Sequence, residues 1–119
     1  MDTMNKQNIV ADKSMEFAVR IVKFYKYLCS EKKEFVMSKQ ILRCGTSIGA
    51  NVKESGNAQS KADFISKMNI ALKEACETEY WLELLFKTDY ISEKQYDDLH
   101  GDCAELIRIL TAIVKSSKH

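Results

Sequence analysis

The sequence of 119 residues contains no proline and only four glycines. Average usage near 5% would supply about six prolines, and both residues punctuate the turns of sandwiches, barrels and βαβ repeats. Their scarcity argues against those folds and for a few long helices joined by short connections. An excess of charge of one sign is missing too, since 18 basic and 17 acidic side chains leave a net +1. No global basic field therefore advertises nucleic acid. No run of about 18 apolar residues occurs, so no transmembrane helix and no membrane partner is expected. The opening MDTMNKQN lacks the basic and apolar regions of a secretion signal, which predicts a cytoplasmic protein.

Pairing of cysteines is also absent. Cys29, Cys44, Cys76 and Cys103 form no C-x-x-C motif, and each lies among apolar residues of helical spacing, where a free thiol acts as a small hydrophobe. They are expected to be reduced and structural.

What remains reads as one domain over residues 1–119 with four helical segments, all-α, in an antiparallel up-and-down four-helix bundle. The first segment, about 12–31, carries Phe17, Ile21, Phe24 and Leu28 on one face, widened by Ala18, Val22, Tyr25 and Cys29. A charged turn from Glu31 to Glu34 ends it. The second, 38–55, has the stripe Ile41, Gly45, Ile48 and Val52, with Gly56 placed just past its end. Gly45 and Gly49 each cost about 1 kcal/mol against alanine in a helix interior, tolerable where a neighbouring backbone comes close. The third, 60–88, starts with a Ser60/Asp63 cap and holds a 4-3 alternation from Phe64 to Leu85, with surplus apolar residues on both flanks. The fourth, 92–117, opens on a Ser92/Gln95 capping box and repeats the alternation from Tyr96 to Ile113, with Gly101 in its interior and basic residues from Lys115 to His119 at its carbonyl end. Surplus apolar faces on the first and third helices predict a homo-oligomer.

Catalytic and metal-binding patterns are scarce. Asp97-x-x-His100 is a single copy where a di-iron bundle needs more, and His100 with Cys103 supplies two ligands where zinc takes four. No phosphate loop or nucleophile elbow occurs. Neither enzyme activity nor a cofactor or metal is expected. The second helix instead carries a polar stripe, Gln40, Ser47, Asn51 and Glu54. It is expected to meet Lys67, Glu74 and Thr78 of the third helix in a network that sets helix register, with a ligand site or partner surface as the alternative. The charge is also divided: the first half is about +4 and the second −3. Lys13, Arg20, Lys23, Lys26, Lys39 and Arg43 are thus a candidate nucleic-acid face, against the alternative of a solvated surface.

The segment Gln40 to Glu54, with its T-S-I-G-A-N-x-x-E core, the run Ala58 to Phe64 and the downstream A-L-K-E-A of Ala71 to Ala75 closely resemble the bacterial four helix bundle protein family, also called the 23S rRNA intervening-sequence or S23 family. The resemblance covers nearly the whole chain. It implies an antiparallel four-helix bundle that assembles as a homopentameric barrel. It also implies kinship with the accessory variability protein of diversity-generating retroelements, which associates with a reverse transcriptase and nucleic acid. Ser47, Asn51 and Glu54 match the family motif, which implies no catalytic role for them. Two functions are expected to compete: a non-enzymatic accessory factor for RNA or DNA, and a protein-interaction scaffold that binds no nucleic acid.

Overall fold

The structure, a computed structural model, describes residues 3–118, with side chains from Lys6 onward. The described residues form four helices: α1 (Thr3–Ser30), α2 (Met37–Ser55), α3 (Lys61–Lys87) and α4 (Glu93–Ser117). No strand occurs among the described residues. Connections too short to cross the bundle force chain neighbours to run antiparallel, and the backbones approach one another around a ring, α1 to α2 to α3 to α4 and back to α1. The closing α4/α1 seam is the most loosely packed of the four. The molecule is a rod, 45 × 22 × 19 Å.

Helix α1 begins at Thr3, nine residues before the predicted start. The reason is Ser14, a hydroxyl in a core position that interrupts the apolar pattern. It is buried, as is Val10 one turn earlier, so the true stripe is Val10, Ser14, Phe17, Ile21, Phe24 and Leu28. Burial costs Ser14 little because its hydroxyl donates to the Ala11 carbonyl at 3.2 Å. The small side chain is needed there, since a Cβ on Gly49 of α2 would stand 3.3 Å from the Ser14 carbonyl oxygen. Four residues earlier, a Cβ on Gly45 would stand 2.9 Å from two carbons of the Ile21 side chain. Both glycines therefore sit where α1 packs directly on the α2 backbone. At Gly101 nothing lies within 4 Å of such a Cβ.

The helix ends follow local chemistry. Ser92 and Gln95 form the full capping box, with Gln95 N–H donating to Ser92 Oγ at 3.2 Å and Ser92 N–H to Gln95 Oε1 at 2.8 Å. At α3 the Asp63 amide donates to Ser60 Oγ, but the shorter Asp side chain accepts from Gln59 N–H instead of closing the box on Ser60. Gly56 does cap α2, yet with φ −65° it never enters the left-handed region its glycine allows. The chain leaves instead through a tightened turn, with the amides of Gly56, Asn57 and Ala58 bonded to the carbonyls of Lys53, Glu54 and Ser55. Helix α3 closes in a Schellman arrangement: Tyr90 N–H reaches Leu85 O, Asp89 N–H reaches Phe86 O, and Asp89 takes φ 67°. Lys115 lies in the last turn of α4, while His119 lies outside the described residues.

Glu34, read from sequence as part of the charged turn that ends the first helix, is buried. Its carboxylate accepts from the amides of Val36, Met37 and Ser38 at 3.2, 3.1 and 2.8 Å, and Ser38 Oγ donates back to the Glu34 carbonyl at 2.8 Å. The first turn of α2 is thus capped from two residues before its N-cap position, where a negative charge also suits the helix dipole.

Candidate interaction surfaces

The six basic residues of the candidate nucleic-acid face fall into two sets. Lys13 and Arg20 are seven apart on α1, so they point the same way, toward α4. There Lys13 Nζ pairs with Glu105 at 3.2 Å and the Arg20 guanidinium pairs with Asp102. Arg43 of α2 reaches across to α3, where it pairs with Glu74 at 3.1 Å and with Glu77. Each of these cations comes from the basic half of the sequence and each carboxylate from the acidic half. The division of charge along the chain therefore resolves into pairs between helices. Lys23, Lys26 and Lys39 are exposed and form no ion pair among the described residues.

Arg43 is the most elaborately held of the six. Burial alone would raise the Glu77 carboxyl, but hydrogen bonds from Arg43 and from Trp81 Nε1, the latter at 3.2 Å, outweigh it and hold the carboxyl below its ordinary range. The same bond to Glu77 raises the Arg43 guanidinium further.

The polar stripe of α2 binds α3 less than its register predicted. Glu54 meets Lys67 at 3.9 Å, Glu74 meets Arg43, and the Thr78 hydroxyl sits 3.2 Å from Cys44 Sγ. Ser47 and Asn51, however, donate back to carbonyls of their own helix, those of Arg43 and Ser47. The short Ser47 and Asn51 side chains close local bonds sooner than they span to α3.

The histidine and cysteines do not share a site. His100 Nε2 lies 3.1 Å from Glu79 and its ring stacks on Tyr96, which in turn stacks on Phe86, both at centroid separations of 5.0 Å. Burial, then Glu83, Glu79 and Asp97, raise the Tyr96 hydroxyl. Cys103 donates to the Ala75 carbonyl at 3.2 Å, and burial pushes its thiol up to about 12. Burial likewise pushes Cys44 up to about 11. Thiols so raised are poor nucleophiles. All four cysteines are free, and no cluster of three potential metal ligands occurs among the described residues.

Apolar exposure is concentrated on α1. Met15, Val19 and Val22 are 57, 47 and 36% exposed along its outer face. Of these, Met15 lines a groove of about 520 Å³ between α1 and α2, where Ala11, Ala18, Gly49 and Ala50 keep the walls low. Ile70 and Tyr80 on α3, and Phe35 and Val36 in the connection before α2, are exposed as well. Of the residues read as widening the α1 face, Val22 is exposed while Ala18, Tyr25 and Cys29 are half-buried; Met15 and Val19 were not part of that reading, and Phe35 and Val36 were missed because two residues in a connection have no periodicity to betray them. No described helix is long and apolar enough to cross a membrane.

With this geometry the chain can be set beside known proteins. Residues 6–112 match the family model described as 23S rRNA-intervening sequence protein. A crystal structure of a protein with unknown function from the S23 ribosomal protein family, from Bacteroides thetaiotaomicron, is 64% identical and superposes with a TM-score of 0.91, covering 92% of this chain and 98% of that one. Among curated proteins none matches.

Proposed function

Because the chain belongs to the 23S rRNA-intervening sequence protein family, we propose that it acts as a non-enzymatic, self-associating helical scaffold of the cytoplasm, assembling as a pentamer. The exposed stripe of Met15, Val19 and Val22, of which Met15 also lines a groove with walls of small residues, carries this reading. Contiguous apolar surface of this kind on a soluble chain marks an association site. Light scattering on the purified protein tests it. The expected mass is about five times 13.7 kDa, and Met15→Glu with Val19→Glu should bring it to the single-chain value. A wild-type monomer at micromolar concentration would refute self-association.

A second reading is favoured by the unpaired ammonium groups of Lys23, Lys26 and Lys39: an accessory factor that contacts RNA or DNA through phosphates. Three such contacts predict a binding constant that falls with salt at a log–log slope of roughly −2 to −3. Titration of labelled RNA and DNA from low salt upward decides it, and no binding at the lowest salt refutes it.

A further inference from the structure

The loosely closed seam between α1 and α4 carries two grooves of different character. The one near the α3–α4 connection is lined by Arg20, Lys23, Phe24, Gln95, Asp98 and Leu99, a mixture of both charges over little apolar floor. The one toward the other end, of about 320 Å³, has an apolar floor of Ile9, Ile109 and Ala112 and a rim of Lys6, Lys13 and Arg108. The single carboxylate lining it among the described residues, Glu105, is occupied by Lys13 at 3.2 Å. Lys6 and Arg108 form no ion pair among the described residues, so the rim keeps two cations over half-buried isoleucine. Neither was a candidate from sequence: Lys6 lies before the predicted start of the first helix, and Arg108 sits in the acidic half of the chain.

We propose that this groove docks an acidic amphipathic helix of a partner protein, whose apolar side chains cover Ile9, Ile109 and Ala112 while its carboxylates meet Lys6 and Arg108. Charge complementarity selects the occupant. A neutral apolar segment would leave the two cations partly desolvated and unpaired. A nucleic-acid strand would bring phosphates to the rim, but no aromatic ring among the described residues lines the groove to stack a base, and the isoleucine floor would gain no apolar cover. This deepens the scaffold reading by naming a partner, and it needs no self-association.

The test uses the full chain and a designed helical peptide with leucine at i, i+4 and i+7 flanked by glutamates, labelled for fluorescence anisotropy. The acidic peptide should bind the wild type, and a peptide with lysine in place of glutamate should not. Lys6→Glu with Arg108→Glu, at a half-buried and an exposed position, should weaken the acidic peptide at least tenfold and create binding of the lysine peptide. Light scattering and circular dichroism of the variant should match the wild type. Equal affinity of wild type and variant for the acidic peptide, no binding to either, or displacement of the peptide by single-stranded RNA at equal concentration would overturn the proposal. A changed mass in the variant would assign the groove to self-association and overturn it as well. A wild-type monomer that still binds the peptide would sink the pentamer and leave this docking site standing.

Discussion

Gly45→Ala and Gly101→Ala make the same chemical change in two helix interiors, and they should move stability in opposite directions. In both, alanine gains about 1 kcal/mol of helix propensity. At Gly101 nothing stands within 4 Å of the new Cβ, so that gain survives. At Gly45 the Cβ would be 2.9 Å from both γ-carbons of Ile21, a β-branched side chain with no exposure. Those atoms sit next to the α1 backbone and cannot swing aside, so α1 itself must shift. Overpacking of this kind costs about 1–3 kcal/mol, which leaves Gly45→Ala roughly 0–2 kcal/mol less stable than wild type. Gly49→Ala, at 3.3 Å from a carbonyl oxygen, should fall between the two. Urea unfolding followed by circular dichroism at one protein concentration reads the difference, as do melting temperatures at roughly 4 °C per kcal/mol. The cause is checked by repeating Gly45→Ala in an Ile21→Ala background. The clash is gone there, and the substitution should become stabilising by about 1 kcal/mol even though Ile21→Ala itself costs 2–5 kcal/mol. If Gly45→Ala stabilises the wild type as much as Gly101→Ala does, the close crossing of α1 and α2 is wrong.

Three further expectations follow from the helix ends and the core. Glu34→Ala removes the acceptor for three amides, one of them buried, and should cost about 2 kcal/mol in urea unfolding; a change under about 0.5 kcal/mol would refute the cap. In native protein at pH 8, a thiol reagent should titrate no more than two cysteines quickly. Cys44 and Cys103, held near 11 and 12 and buried, should react only on unfolding, and four fast thiols would contradict the packing. Glu77 is held below its ordinary value, so the stability it contributes is complete above about pH 4.5 and is lost as pH falls through its folded-state value. Glu77→Gln should therefore be less stable at pH 7 by up to about 1 kcal/mol and converge with wild type in acid. The sole tryptophan, Trp81, whose indole donates to this carboxylate, reports the change by fluorescence; a gap independent of pH would refute the assignment.

Much of the fold was legible because it rests on local spacing. The alternation Met68, Ala71, Ala75, Thr78, Leu82 and Leu85 is buried residue by residue, and Ser92 with Gln95 caps α4 through contacts three residues apart. Where a position departs from its residue type's habit, sequence was silent. Ser14 is polar in the core, and Glu34 is charged and buried, each satisfied by backbone partners that only the folded turn supplies. The interaction surfaces were harder. Arg20 meets Asp102 at a sequence separation of 82, so whether a lysine or arginine is free depends on how two distant helices are rotated about their axes. The charge stripe read along one half of the chain thus looked like a footprint when half of it is used between helices.

The looseness of the α4/α1 seam has a consequence for how the chain acquires its shape. Three of the four interhelical contacts join neighbours in sequence and close only short loops, whereas this one alone brings the first helix to the last. Long-range closure carries the larger entropic cost and forms later. The seam is then the last face to zip and the first to breathe, held by the exposed pairs of Lys13 with Glu105 and Arg20 with Asp102, which added salt weakens. Hydrogen exchange along α1 should accordingly quicken with ionic strength before that of α2 and α3 responds.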